Sequence, residues 1–196
     1  MRFLFVSLVV FLNLILPSNS IASNDTSKTG DLLLGAGIGI SRLGGVGGDY
    51  KTREYAGSLN LSGRYFLNKN LAIGASWQRS RHGGKDDEGF KERHTDIKIE
   101  ALTIDAMLIR NEPGEFLKPY LIVGIGTADT DIKTSNAGRR LTSDSGSQDA
   151  YSVGFGVYFG LPDEGFYQGL EFRRVVLDDT DDLDLNYLNY NLGYKF

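Results

Sequence analysis

Cysteine is absent from this sequence of 196 residues, and only four prolines and two histidines are present. Without cysteine there is no disulfide framework and no attachment site for the lipid that lipoproteins carry on that residue. The scarcity of proline, together with 25 glycines, suits a chain with many strands joined by turns. After residue 22 no stretch approaches about 18 consecutive apolar residues, which argues against a membrane protein built from helices.

The charge of the chain is modest and slightly acidic. There are 21 Lys and Arg residues against 25 Asp and Glu residues, which gives a formal net charge of −4. Because no basic tract is present, we expect no nucleic-acid partner. The chain that follows residue 22 is long enough for one domain.

The amino terminus has the pattern of a signal peptide. Arg2 makes the start positive, residues 3–16 are mostly apolar, and Ser20-Ile21-Ala22 places small side chains where a signal peptidase reads them. We therefore predict a signal peptide at 1–22 and a mature domain at 23–196. The alternative is a membrane anchor, but the apolar run is shorter than the roughly 20 residues that a spanning helix needs.

Alternation of apolar and polar residues, which is the side-chain period of a β-strand, recurs along the mature chain. It predicts eight strands, at about 31–43, 51–67, 71–81, 94–110, 117–131, 150–160, 167–177 and at the carboxyl end. Short turns are predicted at 68–70, 111–116 and 162–165, and longer polar connections at 44–49, 82–93, 133–149 and 178–182. Short and long connections thus alternate, and an even strand number places both ends on one side.

Three residues on two strands depart from the alternation. Ile97 and Ile99 lie on the opposite face from the later apolar residues of their strand, which indicates either a bulge or a strand that projects beyond a membrane. Arg174 falls on the apolar face of the seventh strand, so in a membrane it has to lie near the lipid headgroups.

The last strand is amphipathic throughout. One face carries Asn189, Asn191, Gly193 and Lys195. The other face carries only apolar and aromatic residues, namely Leu188, Tyr190, Leu192, Tyr194 and Phe196.

The composition of the two faces separates two kinds of barrel. A soluble eight-stranded barrel of the lipocalin kind has an apolar interior and an exterior rich in Lys, Glu and Thr. Here the polar face is mostly Gly, Ser and Asn, which suits a crowded lumen better than a solvated exterior. We therefore predict an all-β fold, an eight-stranded antiparallel up-and-down transmembrane β-barrel, with long loops outside and short turns in the periplasm.

Four charged residues fall on the inward face by parity: Arg64, Asp105, Glu171 and Arg173. Eight strands close a barrel just wide enough for its own side chains, so no continuous water channel is expected. An isolated buried charge is very costly, and we therefore predict that these residues pair in an interior charge network. The alternative role for the same residues is a gate or a path for small ions.

Three stretches carry a resemblance to a known family. They are the glycine-alternating run 34–39, the run Lys118-Pro119-Tyr120-Leu121-Ile122-Val123-Gly124-Ile125-Gly126, and the ending Leu192-Gly193-Tyr194-Lys195-Phe196. With the periodicity, they make the whole mature chain similar to the small eight-stranded outer-membrane barrels of the OmpA/OmpX type. The resemblance is specific for architecture and weak for function, since such barrels include adhesins, complement-resistance proteins and envelope anchors.

The resemblance implies a location, a set of partners and an assembly signal. We expect export through the periplasm to the cell outer membrane, and a monomer in contact with outer-membrane lipids and lipopolysaccharide. In similar proteins the assembly machinery reads the last strand. The corresponding residues here are Tyr190, Leu192, Tyr194 and Phe196.

Some eight-stranded barrels modify lipid A, so an enzyme is an alternative. The only histidines are His82 and His94, with Ser80 and several acidic residues near them, namely Asp86, Asp87, Glu88 and Asp96. Around 118–126 the chain is loosely similar to lipid A deacylase barrels, which carry a His-x-Ser pair on a late strand. No histidine follows His94, so the base of that family is missing, and we predict no catalytic site and no cofactor.

Two clusters of charge could contact ions or lipid phosphates. Asp178, Asp179, Asp181 and Asp182 could hold calcium, but a run of adjacent acids is more typical of a solvated loop, so we predict no metal site. Basic residues that could bind lipopolysaccharide phosphates are Lys85, Lys91, Arg93, Arg139 and Arg140.

These observations favour a non-enzymatic outer-membrane barrel. Its expected role is surface interaction, as in adhesion or resistance to host defence, or envelope integrity through the extracellular loops. The alternatives are a lipid A-modifying enzyme and a narrow channel.

Overall fold

The computed structural model describes residues 30–44, 55–88, 91–112, 114–136, 139–161, 165–178 and 184–196. Within these, only the backbone is described for 85–88, 91–93, 136 and 139–144. The predicted signal peptide lies outside the described residues. In the part that is described, no helix is long and apolar enough to cross a membrane.

Eight antiparallel strands form one closed barrel, in which each strand pairs with the next and the last pairs with the first. The strands are β1 (Leu32–Gly44), β2 (Tyr55–Asn68), β3 (Leu71–Glu88), β4 (Lys91–Ile109), β5 (Leu117–Asn136), β6 (Arg139–Phe159), β7 (Gly165–Leu177) and β8 (Asp184–Lys195). This is the predicted fold class, and the predicted strand number is confirmed.

An apolar belt covers the outside of the barrel. Alternate residues of the strands point outward, and the most exposed of them include Ile38 at 67% and Ile104 at 70%. Large apolar side chains at such exposure are unfavourable in water but suit a hydrocarbon environment. Other members of the belt are Leu34, Leu61, Ile73, Leu102, Val123, Ile125, Val153, Leu170, Leu188 and Leu192.

The short connections lie together at one end of the barrel, here called the turn end. In the first of them, the Asn68 side-chain oxygen accepts hydrogen bonds from the main-chain N–H groups of Asn70, at 2.9 Å, and Leu71, at 3.0 Å. Asparagine often closes a turn in this way. Gly160, with a φ of 57°, begins the third connection in a conformation that favours glycine.

The opposite end, here called the hairpin end, differs from the prediction. Most of 82–93 and 133–149 was predicted as connection, and this is wrong because β3, β4, β5 and β6 continue through these segments as antiparallel ladders. Beyond the apolar belt the outward residues are charged or polar, and inward residues such as His82 and Thr134 are polar although they are buried. The alternation that marks a strand in the sequence is therefore lost while the backbone ladder continues.

The two explanations for Ile97 and Ile99 can now be separated. The pairing of β4 with both neighbours runs without a register shift through these residues, so the predicted bulge is wrong and the strand is continuous, as the second explanation requires. Register shifts occur instead at Phe66/Asn68 and at Thr134/Ser135. Ile97 and Ile99 point into the barrel, where both are buried.

The interior consists of two apolar clusters with a polar middle. The turn-end cluster comprises Leu33, Phe66, Ala72, Met107, Ile109, Tyr120, Ile122, Tyr158, Leu161 and Tyr167. The hairpin-end cluster comprises Leu43, Ile97, Ile99, Ala101, Ala128, Ala150, Val175, Leu177, Leu185 and Tyr187. Along β4 the inward residues run from Met107 through Asp105 and Thr103 to Ala101, so the polar layer lies between the clusters.

Candidate functional site

The structure brings the four predicted interior charges together in one connected group, here called the charge cluster. Arg64 on β2 reaches Glu171 on β7 with Nη2 and Oε2 2.7 Å apart. Arg173, also on β7, contacts Glu171 at 3.0 Å and Asp105 on β4 at 3.1 Å. Two cations and two anions therefore balance in a chain that crosses the lumen.

Neutral side chains complete the hydrogen bonds of this cluster. The hydroxyl of Tyr120 donates to Glu171 at 2.9 Å, and that of Thr103 donates to Asp105 at 2.8 Å. Ser76 also donates to Asp105, and Arg64 donates to Tyr158. Buried carboxylates with this many donors are compensated for the loss of water.

Glycines on adjacent strands provide the space for these side chains. A Cβ at Gly74 would collide with the backbone beside Arg64, and a Cβ at Gly124 would collide with the carboxylate of Asp105. A Cβ at Gly156 would overlap the ring of Tyr120. The glycines of the inward face thus have a packing role here.

Sequence parity identified the four charges but not their neutral partners. Ser76, Thr103, Tyr120 and Tyr158 lie on the inward face, and that face was visible in the sequence. The cross-strand register was not visible. That register pairs Gly74 with Asp105, and it determines which polar side chains of neighbouring strands come into contact.

Towards the hairpin end, one side of the interior is lined by polar, uncharged side chains. Ser58 donates to the side-chain oxygen of Asn189 at 2.8 Å, and Ser41 lies 3.1 Å from Nε2 of His82. All these residues are buried. Buried carboxamides in this region, such as those of Asn60 and Gln78, have no hydrogen-bond partner among the described residues.

Among the side chains that the structure describes, the histidines do not assemble the nucleophile, base and acid of a hydrolase. His82 is fully buried and lies beside Ser41, whereas the sequence suggested Ser80 as the neighbouring hydroxyl. Asp96 lies on the outer face of the sheet and forms a bidentate contact with Arg81. A substrate would have to enter a closed interior to reach Ser41, so this pair has the geometry of a packed core contact.

Ion pairs lie on the outside of the barrel just beyond the apolar belt at the hairpin end, on β3 and β4 and on β7 and β8. Arg79 contacts Glu100 at 3.4 Å, and Lys98 contacts the same carboxylate at 3.1 Å. Arg174 pairs with Asp184 at 2.5 Å across β7 and β8, which gives this outward arginine a partner at the edge of the belt.

The Arg81 guanidinium holds the pKa of Asp96 below its ordinary value, mainly through their hydrogen bond.

The predicted assembly residues lie on the outer face of β8. Tyr194 packs against Phe166, with ring centroids 5.1 Å apart, and against Phe196 at 4.7 Å. Tyr190 donates to Gln168 at 2.5 Å, and Leu192 is 56% exposed. Phe196 also exchanges two main-chain hydrogen bonds with Leu32, so this segment is part of the closed barrel.

Other predicted groups lie outside the described residues. These are the side chains of Lys85, Asp86, Asp87, Glu88, Lys91, Arg93, Arg139 and Arg140, and the acidic run after Asp178. In the described part of the chain, no group of three or more His, Asp or Glu residues is arranged to hold a metal ion.

Comparison with known proteins identifies the class. The model of the family described as "Outer membrane protein beta-barrel domain" matches residues 11–196, and the chain belongs to this family. No curated protein sequence matches it. The protein is thus an outer-membrane β-barrel with a cell-surface side.

Solved structures show the same fold. Ail, the attachment invasion locus protein of Yersinia pestis, is 21% identical, with a TM-score of 0.61 over 86% of this chain and 100% of Ail. Neisserial surface protein A is 14% identical, with a TM-score of 0.61 over 88% of this chain and 100% of that one. OprG from Pseudomonas aeruginosa is 15% identical, with a TM-score of 0.52 over 87% and 97%.

Proposed function

We propose that this protein is a non-enzymatic surface-interaction protein, whose working part is the sheet that projects from the membrane at the hairpin end. The observation that carries this proposal is the length of β3 to β6. These strands have 18 to 21 residues each, whereas β1, β2, β7 and β8 have 12 to 14. About 10 residues suffice for a strand to cross a bilayer.

The outward residues of the projecting sheet support the proposal that this sheet lies in water, outside the hydrocarbon layer. Beyond the belt, charged or small polar side chains replace apolar ones on all four strands. They are Arg79 and Arg81 on β3, Asp96, Lys98 and Glu100 on β4, Asp129, Asp131 and Lys133 on β5, and Ser145, Ser147 and Asp149 on β6. A rigid, charged sheet above the lipid is suited to binding at the cell surface.

The orientation and the export route are part of the same proposal. The hairpin end faces the exterior and the turn end faces the periplasm, as long and short connections are arranged in outer-membrane barrels. The first 22 residues act as a signal peptide cleaved after Ala22, and Tyr190, Leu192, Tyr194 and Phe196 act as the signal for the assembly machinery. The mature protein works as a monomer.

Lipopolysaccharide is the proposed lipid partner. Basic residues near the belt include Arg79 and Lys98, which are 45% and 35% exposed at their side chains and share Glu100 as an ion-pair partner. Exposed cations at this depth can contact the phosphates of the outer leaflet. Ail was crystallised in complex with the heparin analogue sucrose octasulfate, which makes a polysulfated sugar a first soluble probe for this chain.

The structure gives less support to the two alternatives. An enzyme needs a reactive group in reach of substrate, and the Ser41–His82 pair is buried inside the barrel. A channel needs a continuous polar path, and the charge cluster is bounded by apolar clusters towards both ends. We therefore propose that the charge cluster is structural.

Shortening one hairpin tests the surface role. Asp131 and Ser145 are direct partners, so replacing 132–144 by Asn-Gly closes the hairpin with a two-residue turn. A second variant shortens the other hairpin of this end, by replacing 84–95 with Asn-Gly between the paired residues Gly83 and Asp96. We expect both variants to reach the surface and to keep wild-type resistance to detergent, because the barrel within the membrane is intact.

At least one truncation should reproduce the loss of adhesion or serum survival that a deletion strain shows. If both truncated strains behave as wild type while the deletion strain is sensitive to detergent, the role is envelope integrity and the surface proposal is wrong. A change in lipid A mass that depends on the protein would support the enzyme instead.

A further inference from the structure

An apolar groove of about 730 Å³ crosses the outer belt obliquely and is here called the belt groove. It lies between two neighbouring rows of outward side chains, and each row follows direct partners from strand to strand. The first row consists of Phe166, Tyr194, Leu34, Gly63 and Ala75. The second row consists of Leu192, Ala36, Leu61, Trp77 and Leu102.

Three small residues on consecutive strands create the groove. Ala36, Gly63 and Ala75 lie at its centre, whereas the other outward residues of both rows are large. A Cβ at Gly63 would have only Leu34 within 4 Å, at 3.4 Å. The pairing of β1 with β2 has no register shift, so the depression is due to missing side chains and not to irregular backbone. An empty groove forfeits the dispersion contacts of its lining, so an occupant is favoured.

The groove runs from one edge of the belt almost to the other. Phe166 is the second residue of β7 and is 84% exposed at the turn end. Trp77 and Leu102 are the last apolar outward residues of β3 and β4 before Arg79 and Glu100. Five strand spacings of about 4.8 Å separate β7 from β4 along the rows, so the groove is about 24 Å long.

These dimensions select the kind of occupant. An α-helix is about 10–12 Å across, so a helix of this length needs far more than the volume of the groove. A second copy of the chain related by a two-fold axis would set groove against groove and leave the space unfilled. One extended hydrocarbon chain is thin enough to lie between the two rows. The family places the belt in the outer membrane, where lipids supply such chains.

The two ends of the groove differ in access. At the hairpin end Trp77 and Leu102 are direct partners, and the next outward pair, Arg79 and Glu100, is joined at 3.4 Å. A chain that descends from the hairpin end has to displace both cross-strand pairs. At the turn end, no ion pair among the described residues spans the mouth beside Phe166. A lipid of the leaflet at the turn end therefore has the easier access.

We propose that the belt groove holds one acyl chain of a phospholipid whose headgroup lies in the leaflet at the turn end. The chain enters beside Phe166 and Tyr194, passes over Gly63 and ends against Trp77. It thus crosses the middle of the membrane, which the chains of the surrounding lipid in that leaflet do not. In the proposed orientation this leaflet is the periplasmic one, and the inference rests on the proposed function for that point alone.

Trp77 is the only tryptophan of the chain, so its fluorescence reports what lies at the far end of the groove. The mature protein is folded into vesicles in which phospholipid brominated near the chain ends is confined to the leaflet at the turn end. Protease cleavage of the projecting sheet establishes the orientation. Because bromine quenches tryptophan on contact, we expect this lipid to quench Trp77. Quenching of Trp77 only when the opposite leaflet is brominated would overturn the proposal and assign the groove to an exterior lipid.

A second protein moves the tryptophan out of the groove at the same edge of the belt. Tyr151 is the last apolar outward residue of β6 before Asp149 and does not line the groove. The variant combines Trp77→Phe with Tyr151→Trp. Its fluorescence should be unaffected by brominated lipid in the leaflet at the turn end. Quenching equal to that of Trp77 would mean that such chains reach this depth everywhere, and the groove would not be a site.

Gly63→Leu fills the groove and is the decisive change. Because the Cβ meets only a flexible leucine, we expect the barrel to fold and the quenching of Trp77 from the turn-end leaflet to be lost. Ala106→Leu is the matched control, since it adds a leucine on the belt at an outward position of β4 that does not line the groove. Its quenching should equal that of wild type. Unchanged quenching in Gly63→Leu would overturn the proposal.

The remaining occupant, a second copy of the chain, is tested by varying the ratio of protein to lipid. Quenching that is constant over this range supports a bound lipid, and quenching that falls as the ratio rises would assign the groove to a protein contact. The surface role can fail independently. Hairpin truncations that leave adhesion and serum survival unchanged would contradict that role, whereas the quenching of Trp77 in vesicles does not depend on it.

Discussion

Glu171 and Arg173 are inward neighbours on β7, and their side chains form an ion pair of 3.0 Å that is fully buried. Each also binds a residue on another strand, Arg64 for Glu171 and Asp105 for Arg173. A single strand thus supplies both central members of the charge cluster. The energetic importance of the cluster can be measured by removing its members one at a time.

Arg64→Met or Glu171→Gln should each destabilise the barrel by about 3–5 kcal/mol, because each leaves a buried charge without its partner. The double variant should cost less than the sum of the two. The measurement is a double-mutant cycle on unfolding free energies in a reversible bilayer-folding assay. The matched control is Arg79 with Glu100, an exposed pair of the same residue types, whose coupling should be about 0–1 kcal/mol. Additivity in the buried cycle would contradict a coupled cluster.

Ile104→Arg should destabilise the protein by about 2–4 kcal/mol, because an arginine that faces lipid near mid-depth is poorly solvated. Ile104 is 70% exposed on the belt, between Ala75 and Ile125. Ser147→Arg, on the outer face of the projecting sheet, should have little effect on stability. Equal unfolding free energies for the two arginine variants would contradict the depth that the belt assigns to them.

Phe196→Ala should reduce the amount of protein in the outer membrane far more than it changes refolding in vitro. Phe166→Ala is the matched control, since Phe166 packs on the same Tyr194 ring and is 84% exposed at the same membrane edge. Loss of either ring should have a modest effect on the finished barrel. The yields should be compared by membrane fractionation. Similar yields for the two variants would show that Phe196 has no special role in assembly.

The Arg81–Asp96 pair should give the projecting hairpin a dependence on acid pH. The pKa of Asp96 is lowered in the folded protein, so its contribution to stability is complete above its ordinary pKa of 3.8 and is lost as the pH falls through the lowered value. Carboxylate NMR titration should find Asp96 below 3.8, and Arg81→Gln should return it towards that value. An unchanged Asp96 titration in the variant would contradict the assignment of the cause.

The sequence predicted the strands well where they cross the belt. The first strand was expected at 31–43 and is Leu32–Gly44, because its inward glycines alternate with large outward residues. Prediction failed after residue 131, the expected end of the fifth strand, where outward Lys133 and inward Thr134 are both polar and give no contrast between the faces. The solvent outside the belt removes the contrast that marks a strand.

The charge cluster shows a second limit. Parity alone places Arg173 inside the barrel, but its distance to Asp105 depends on the register of β4 to β7 taken together. Register is set by the turns and by the fit of interior side chains around the barrel, which a single strand does not encode.

The position of Glu171 and Arg173 on one late strand also has a consequence for folding. A sheet of β1 to β6 contains Arg64 and Asp105 but neither of their ion-pair partners, so it cannot bury these charges cheaply. Both charges find their partners only when β7 is part of the sheet. The cluster therefore disfavours a sheet in lipid that lacks β7, and it favours the complete cylinder over a partial one.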